Sequence, residues 1–366
     1  MVESAELPPG TQRFPAEFTH GFIVSVFEAV DVPGDHARLM ADVLTSADLR
    51  GIRSHGLARV SAFLARLEKG VINKRPRMKL HSGSDVTAVL DADGALGPVG
   101  AHAGMEEAMK RADRHGAGFV SVRNCSHLGY VGYWAKMAME RGFIGLSMTN
   151  GGGVVTPTFG IDPILGTNPM SVAFPGGPDG HSYHLDMATA SVARGKVETY
   201  LREGKKLPKG WVSEAAGVEP RLDEKGILTF DVPLLPLGGE GTEGGGHKGY
   251  GLSLMVELFC SVLSGSDLSA RIAGATGDAA PGTGHFLGAI RLSGFREPPE
   301  AHRQTQQTFG HIRGSRKAPG QDRIYIHGEP EAIAEAENRR LGVPVTPPVL
   351  DQMRRMNARL KLGYEV

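Results

Sequence analysis

Apolar residues recur at helical spacing over the first seventy positions. Phe18, Phe22, Val26 and Phe27 fall on one helical face, and Ala37, Met40, Ala41 and Leu44 on another, which predicts two helices within residues 15–47. Pro33-Gly34-Asp35 supplies the break between them and an N-cap for the second. Leu57, Val60, Phe63, Leu64 and Leu67 predict a third helix, closed by Gly70. The pattern changes near residue 85. Residues 86–90 read as a strand, 91–97 as a turn, 101–115 as a helix ending at Gly116, and 118–122 as a short buried strand. A helix over 132–141 and a strand over 144–148 follow.

Residues 86–190 therefore mix strands and helices, the pattern of an α/β layer arrangement. Strand, turn and glycine-rich loop are expected over 212–246, an apolar helix over 249–263 and a long polar loop over 296–321. Helices over 329–341 and 349–361 could pack back on the first three. The expected organisation is a helical N-terminal lobe, 1–84, completed by 329–366, and an α/β region, 85–328, for cofactor and substrate. No internal repeat is visible.

Composition narrows the function. With 40 Lys+Arg against 40 Asp+Glu, the chain lacks the basic footprint that nucleic acid or an anionic membrane requires. Cys125 and Cys260 are too few for a disulfide framework and suit a reducing compartment. The opening MVESAELPPGTQRF does not read as a signal peptide, and Tyr250 to Leu263 is too short to span a bilayer, so a cytoplasmic or matrix-like protein is expected. Glycine is over-represented at 51 residues and clustered, which favours backbone-lined ligand loops. None of the clusters is a dinucleotide fingerprint. Gly94-Ala-Leu-Gly97-Pro-Val-Gly100 has the wrong spacing, Gly238 to Gly246 lacks the preceding strand and turn, and no P-loop occurs. From the residues alone these glycines read as turns.

Four segments could carry chemistry. In Asp48-Leu-Arg-Gly-Ile-Arg-Ser54-His55-Gly56-Leu-Ala-Arg59, His55 and Arg59 stand four apart at a helix start, with Ser54 a plausible N-cap. A guanidinium can grip a carboxylate while a neighbouring imidazole handles a proton at a carbonyl oxygen. A capped helix with a solvated basic face explains the same spacing. In Asn124-Cys-Ser-His127-Leu-Gly-Tyr130, His127 follows a buried strand, where α/β sites collect; it reads as an acid/base or as a structural imidazole. His184-Leu185-Asp186 places an acid after a strand, which could orient a histidine, bind a ribose or cap a helix near Ser191. His247-Lys248-Gly249 opens an apolar helix, a seat for a phosphate or simply a snorkelling lysine. No metal-ligand spacing occurs.

Together the stretches ADLRGIRSHGLARV, GAGFVSVRNCSHLGYVGYWA, GLSMTNGG, ILGTNPMSVAFPG, LDMATASVARGKVE, GKKLPKGW and GGHKGYGLSLMVELFCSVLSG resemble one family. It is the malate/L-lactate dehydrogenases of the second, non-Rossmann type, and the stretches occur in family order over most of residues 40–265. The resemblance implies a non-Rossmann mixed-sheet NAD(P)-binding fold, an intertwined homodimer, and NAD or NADP bound without a glycine fingerprint. It implies His55 and His127 as acid/base candidates, Ser54 or Asp186 as an orienting partner, and Arg59 as the substrate-carboxylate ligand. Cofactor contacts are implied at Thr149 and Asn150, at His184, Leu185 and Asp186, at Lys248 and Gly249, and at Pro319 and Gly320. The family's usual Asp-Met-Ala-Thr-Ser ends here in Ala190, and 212–232 and 296–320 depart from the pattern.

The expected reaction is hydride transfer between nicotinamide and C2 of a small 2-oxo or 2-hydroxy acid. Malate/oxaloacetate is favoured because Arg50, Arg53 and Arg59 suit a second carboxylate. Lactate, sulfolactate, ureidoglycolate, diketogulonate and cyclic imino acids are the family alternatives. A metal-dependent hydrolase or lyase built on His55, His127 and Asp186, and a catalytically dead binding protein, are the rivals.

Overall fold

The computed structural model describes residues 7–178, 180–223, 228–229, 232–272 and 281–366. Strand β1 (Gln12–Phe14) leads into helices α1 (Ala16–Glu28), α2 (Gly34–Leu49) and α3 (Val60–Glu68). Pro33, not Asp35, is the N-cap of α2; Asp35 lies in the first turn, where its Oδ1 accepts the His36 amide at 2.9 Å. There follow β2 (Lys79–Ser82), β3 (Thr87–Ala95), α4 (Gly97–His115), β4 (Ala117–Cys125), α5 (Gly132–Glu140) and β5 (Phe143–Thr149). Then come β6 (Met170–Phe174), β7 (Tyr183–Met187), α6 (Arg194–Arg202), α7 (Gly246–Glu257), β8 (Thr283–Arg291) and α8 (Pro298–Gly314). Helix α9 (Glu329–Leu341), strand β9 (Val343–Val345) and helix α10 (Pro347–Leu360) close the chain.

Both chain ends meet in one core. β1 pairs antiparallel with β9, and Phe22, Phe27, Leu44 and Leu64 pack with Val343, Val345, Leu350, Met353 and Met356. The last five are buried, and at about 1.5–3 kcal/mol each their transfer out of water rivals the ~5–15 kcal/mol net stability of a typical domain. The C-terminal segment is therefore integral to the N-terminal helices.

Among the described residues the main sheet has seven strands in the order β2-β3-β4-β8-β5-β6-β7, parallel only between β3 and β4. Helices α4 and α5 cover it with Met105, Ala108 and Trp134 against Val120, Val122 and Leu287. Two antiparallel steps, through β8, align β5 with β4, and two more, through β6, align β7 with β5. Strands β3, β4, β5 and β7 thus all finish at one edge, where α/β sheets place their ligands.

Four expected elements come out differently. The turn expected over 91–97 is strand as far as Ala95, because the chain bulges between Asp91 and Ala95 and keeps Ala92 and Ala95 buried. The loop expected over 296–321 is largely helix α8. Prolines in its first turn start it, but only Ala301 and Phe309 are buried, a stripe too thin to register as periodic. The helix expected over 249–263 is α-helical only to Glu257 and continues as a π-turn over Leu258–Val262. Over 212–246 the described residues before α7 form isolated bridges, such as Val212 with Leu234, and no regular strand.

Candidate active site

The Ser54–Arg59 segment is not the start of one helix. Two 3-10 turns, Arg53–His55 and Leu57–Arg59, are joined at Gly56 before α3 begins at Val60. Ser54 caps nothing; its Oγ lies 2.9 Å from His55 Nδ1. Arg59 donates from Nε to the Ser54 carbonyl at 2.7 Å. The turn thus binds imidazole, hydroxyl and guanidinium into one unit, by local hydrogen bonds rather than by helical register.

His127 arrives from the end of β4. Ser126 donates its amide to the Ala95 carbonyl at 3.1 Å and accepts the Gly97 amide on Oγ at 2.8 Å, locking this loop to the start of α4. A Cβ at Gly97 would stand 1.9 Å from the His127 carbonyl oxygen, so only glycine permits the approach. His127 Nδ1 accepts the Gly129 amide at 3.1 Å, which leaves the ring proton of the neutral imidazole on Nε2.

The two predicted histidines meet. Their ring centroids lie 5.5 Å apart with planes 23° from parallel, and Phe63 sets its edge against His127 at 6.3 Å. Both side chains are half-buried, as is Arg59. Burial, then Arg59, pushes the His55 pKa down to about 3. His127 is held well below the usual imidazole range by burial, then by His55, Arg59, His285 and Arg66. Both imidazoles are therefore neutral near pH 7, with the guanidinium groups of Arg59 and Arg66 close to His127 and the Glu198 carboxylate acting on Arg59. That setting favours an anion.

Behind His127 lies a residue that no sequence motif singles out. His285, fully buried on β8 between β4 and β5, has Nδ1 2.8 Å from Thr149 Oγ1 and a buried Nε2 that meets no hydrogen-bond partner among the described residues. Burial pushes its pKa down to about 4. Its one signal in sequence is a polar side chain inside the apolar run Thr283 to Ile290. Asp48 and Gly97 stand within or near the motifs, but no spacing there points to a role for either.

The predicted cofactor residues divide. Thr149 and Asn150 finish β5 at the active edge, two strand widths, ~10 Å, from β4. Their side chains are engaged internally: Thr149 Oγ1 donates to the Gly284 carbonyl at 3.1 Å, and Asn150 bonds Asp267 and Gly284 at 3.0 and 2.9 Å. His184, Leu185 and Asp186 lie within β7. Asp186 caps no helix near Ser191. Its Oδ2 accepts the Gly132 amide at 3.1 Å, while His184 Nε2 donates to the Gly132 carbonyl at 3.1 Å. Burial pushes the Asp186 carboxyl up to about 7. Both side chains brace the start of α5, and Leu185 holds Ser171 Oγ through its carbonyl at 2.7 Å.

Arg50, expected beside a second substrate carboxylate, is instead 4 % exposed, with Nη1 3.0 Å from Glu335 and Nη2 3.1 Å from His184 Nδ1. Lys248 is exposed near the start of α7, and Gly249 is buried against Leu237. Pro319 and Gly320 form an exposed turn after α8. Among the described residues, none of these four bonds to the histidine pair.

The mixed sheet and its edge-borne imidazoles define a class: a non-Rossmann α/β protein with a paired-histidine site. The model of the malate/L-lactate dehydrogenase family matches residues 14–354, and the chain belongs to that family. It is 38 % identical over 367 residues to a malate dehydrogenase of Pyrococcus abyssi, covering 100 % of both chains. It is 35 % identical to an L-sulfolactate dehydrogenase of Methanocaldococcus jannaschii, over 94 % of this chain and 96 % of the other. The solved malate dehydrogenase of Pyrococcus horikoshii superposes with a TM-score of 0.88 at 34 % identity, covering 100 % of this chain and 99 % of that one.

A dehydrogenase of 2-hydroxy acids implies a nicotinamide cofactor, and the active edge has features that suit one. Gly151, just past β5, has open space where a side chain would stand, and the unpartnered His285 Nε2 lies between β5 and β4. The mixed sheet also explains why no glycine fingerprint was found. Among the described residues no helix is long and apolar enough to cross a membrane.

Proposed function

We propose that the protein reduces a small 2-oxo acid to its 2-hydroxy acid, and the reverse, with oxaloacetate and malate as the preferred pair. The observation that carries this is the stacked pair His55 and His127 with the Arg59 guanidinium beside it. Nicotinamide, when bound, supplies or accepts the hydride at C2. Arg59 has Nη1 and Nη2 left for a carboxylate, since Nε is committed to Ser54.

The tautomers divide the remaining work. His127 has Nδ1 fixed as an acceptor, so its Nε2–H donates to the C2 oxygen and polarises it. His55 pairs with a hydroxyl that can donate or accept, so it can gain or lose a proton and exchange it with solvent through the exposed Ser54. Approach of the substrate carboxylate raises the imidazole pKa values from their low resting positions and readies His55 as the acid.

Cofactor contacts are proposed at Thr149, Asn150, Leu185, Lys248, Gly249, Pro319 and Gly320, with His184 and Asp186 acting through α5. NAD and NADP are both compatible with these residues. Leu254, Leu258 and Val262 form an exposed apolar strip at 38, 47 and 61 % along one side of α7 and its π-turn. That strip supports a homodimer. The free, buried Cys125 and Cys260 suit a reducing cytoplasm.

The test is oxidation of NADH and of NADPH with oxaloacetate, pyruvate, sulfopyruvate and a cyclic imino acid, alongside sedimentation of the purified protein. Oxaloacetate should give the highest kcat/KM, and a dimer should sediment. Turnover with none of these acids would refute the proposed reaction.

A further inference from the structure

Asp48 has no part in the chemistry above, yet its carboxylate is 4 % exposed at the end of α2. A buried carboxylate is costly unless its oxygens are satisfied, and among the described residues Asp48 forms no ion pair. Burial pushes its pKa up to about 7, against the Leu57 amide and Arg53, which favour the charged form.

What its oxygens do is specific. Oδ2 accepts the Leu57 amide at 2.7 Å. Oδ1 sits where a side chain on Gly56 would begin, 2.0 Å from the position of that Cβ. Gly56 is the residue between the turn that carries His55 and the turn that carries Arg59. The carboxylate therefore fills the fold of the chain at the joint between imidazole and guanidinium. The end of α2 is itself anchored: Asn338 donates from Nδ2 to the Leu49 carbonyl at 2.9 Å and accepts Arg13 Nη1 at 3.0 Å.

We infer that Asp48 is a positioning residue whose carboxylate sets the separation and orientation of His55 and Arg59. The sequence supports the arrangement as a unit, since a joint able to admit a carboxylate needs both the acid at 48 and the glycine at 56. Protonation leaves a carbonyl oxygen that still accepts the Leu57 amide, so the brace survives below neutral pH. The inference rests on the proposed roles of His55 and Arg59.

The experiment compares Asp48→Ala, Asp48→Asn, Gly56→Ala and His55→Ala in the full-length enzyme. It measures amide hydrogen exchange over residues 53–60, steady-state kinetics with oxaloacetate, and NADH binding. Asp48→Ala should speed exchange in that segment, lower kcat and raise KM for oxaloacetate, with a combined loss of about 10²-fold, and leave NADH affinity unchanged. Asp48→Asn, which keeps an acceptor of the same shape, should recover most of that loss. Gly56→Ala should reproduce the kinetic split, which keeps the test open if Asp48→Ala does not fold.

Unaltered exchange in folded Asp48→Ala would overturn the brace. Faster exchange with unaltered kinetics, while His55→Ala is crippled, would overturn the positioning role alone. Unaltered kinetics in both would overturn the reading of His55 itself.

Discussion

His55 and His127, seventy-two positions apart in sequence, stack with their ring centroids 5.5 Å from each other. One comes from a pair of 3-10 turns and the other from the end of a strand, so the contact depends on two loops being held independently. Two like-charged imidazolium rings at this distance would repel, and the low pKa of His127 reflects that in part, whereas that of His55 comes from burial and Arg59. In the proposed reaction the pair divides into one neutral donor and one proton carrier.

Glutamine substitution separates these roles. A glutamine at 127 still offers an N–H donor, whereas a glutamine at 55 cannot carry a proton. His55→Ala and His127→Ala should each lower kcat by about 10²–10⁴-fold. His127→Gln should retain clearly more turnover than His55→Gln in steady-state assays with oxaloacetate. The reverse order would exchange the two roles.

Arg59 is expected to act in binding. Its Nε holds the Ser54 carbonyl, and burial lowers its pKa from the usual value, with Glu198 opposing. A charge-assisted hydrogen bond contributes about 1.5–3 kcal/mol, so Arg59→Ala should raise KM for the 2-oxo acid by ~10–100-fold. Arg59→Lys should recover little, because one ammonium cannot hold both the Ser54 carbonyl and a two-pronged carboxylate. An unchanged KM in Arg59→Ala would remove it from the site.

The order of the motifs and the periodicity of the helices made much of this architecture readable in sequence. Phe18, Phe22 and Val26 announce α1, and Gly116 closes α4 with φ +86° in the left-handed region that glycine favours. Helix α8 was hidden because its contacts are polar: Gln306 bonds the carbonyls of Gly176 and His181, and nothing in a glutamine-rich run announces that. The histidine pair was readable only as two separate candidates, since their approach depends on Gly97 and Ser126 joining β3 to β4. Arg50 looked like a free cation because its partners, His184 and Glu335, lie 134 and 285 residues away.

His184 should leave a mark on stability. Burial, then Arg50, pushes its pKa down to about 3 from 6.5. The unfolded chain then binds a proton that the folded one refuses, so the stabilisation is complete above pH 6.5 and is lost as pH falls toward 3. His184→Gln can keep both hydrogen bonds but does not titrate. The stability difference between parent and variant should therefore shift toward the variant by about 1–2 kcal/mol between pH 7 and pH 5, read by urea unfolding. A pH-independent difference would mean that the ring is charged or solvated in the folded protein. Asp186, with its opposite shift, is common to both proteins and cancels.

Gly97 tests whether the joint between strand ends governs the chemistry. A Cβ there would meet the His127 carbonyl oxygen at 1.9 Å and carbon at 2.2 Å, backbone atoms that cannot turn aside as a side chain would. The loop has little freedom to retreat, because Leu128 is fully buried and its carbonyl accepts Trp134 Nε1 at 3.2 Å. Gly97→Ala must therefore move His127 relative to His55, at a cost of about 1–3 kcal/mol in stability. Gly116→Ala is the control: its φ of +86° makes alanine unfavourable, but nothing lies within 4 Å of its Cβ. Both variants should melt lower than the parent. At a temperature where both remain folded, only Gly97→Ala should lose kcat, and equal kcat in the two variants would show that the histidine contact does not set the rate.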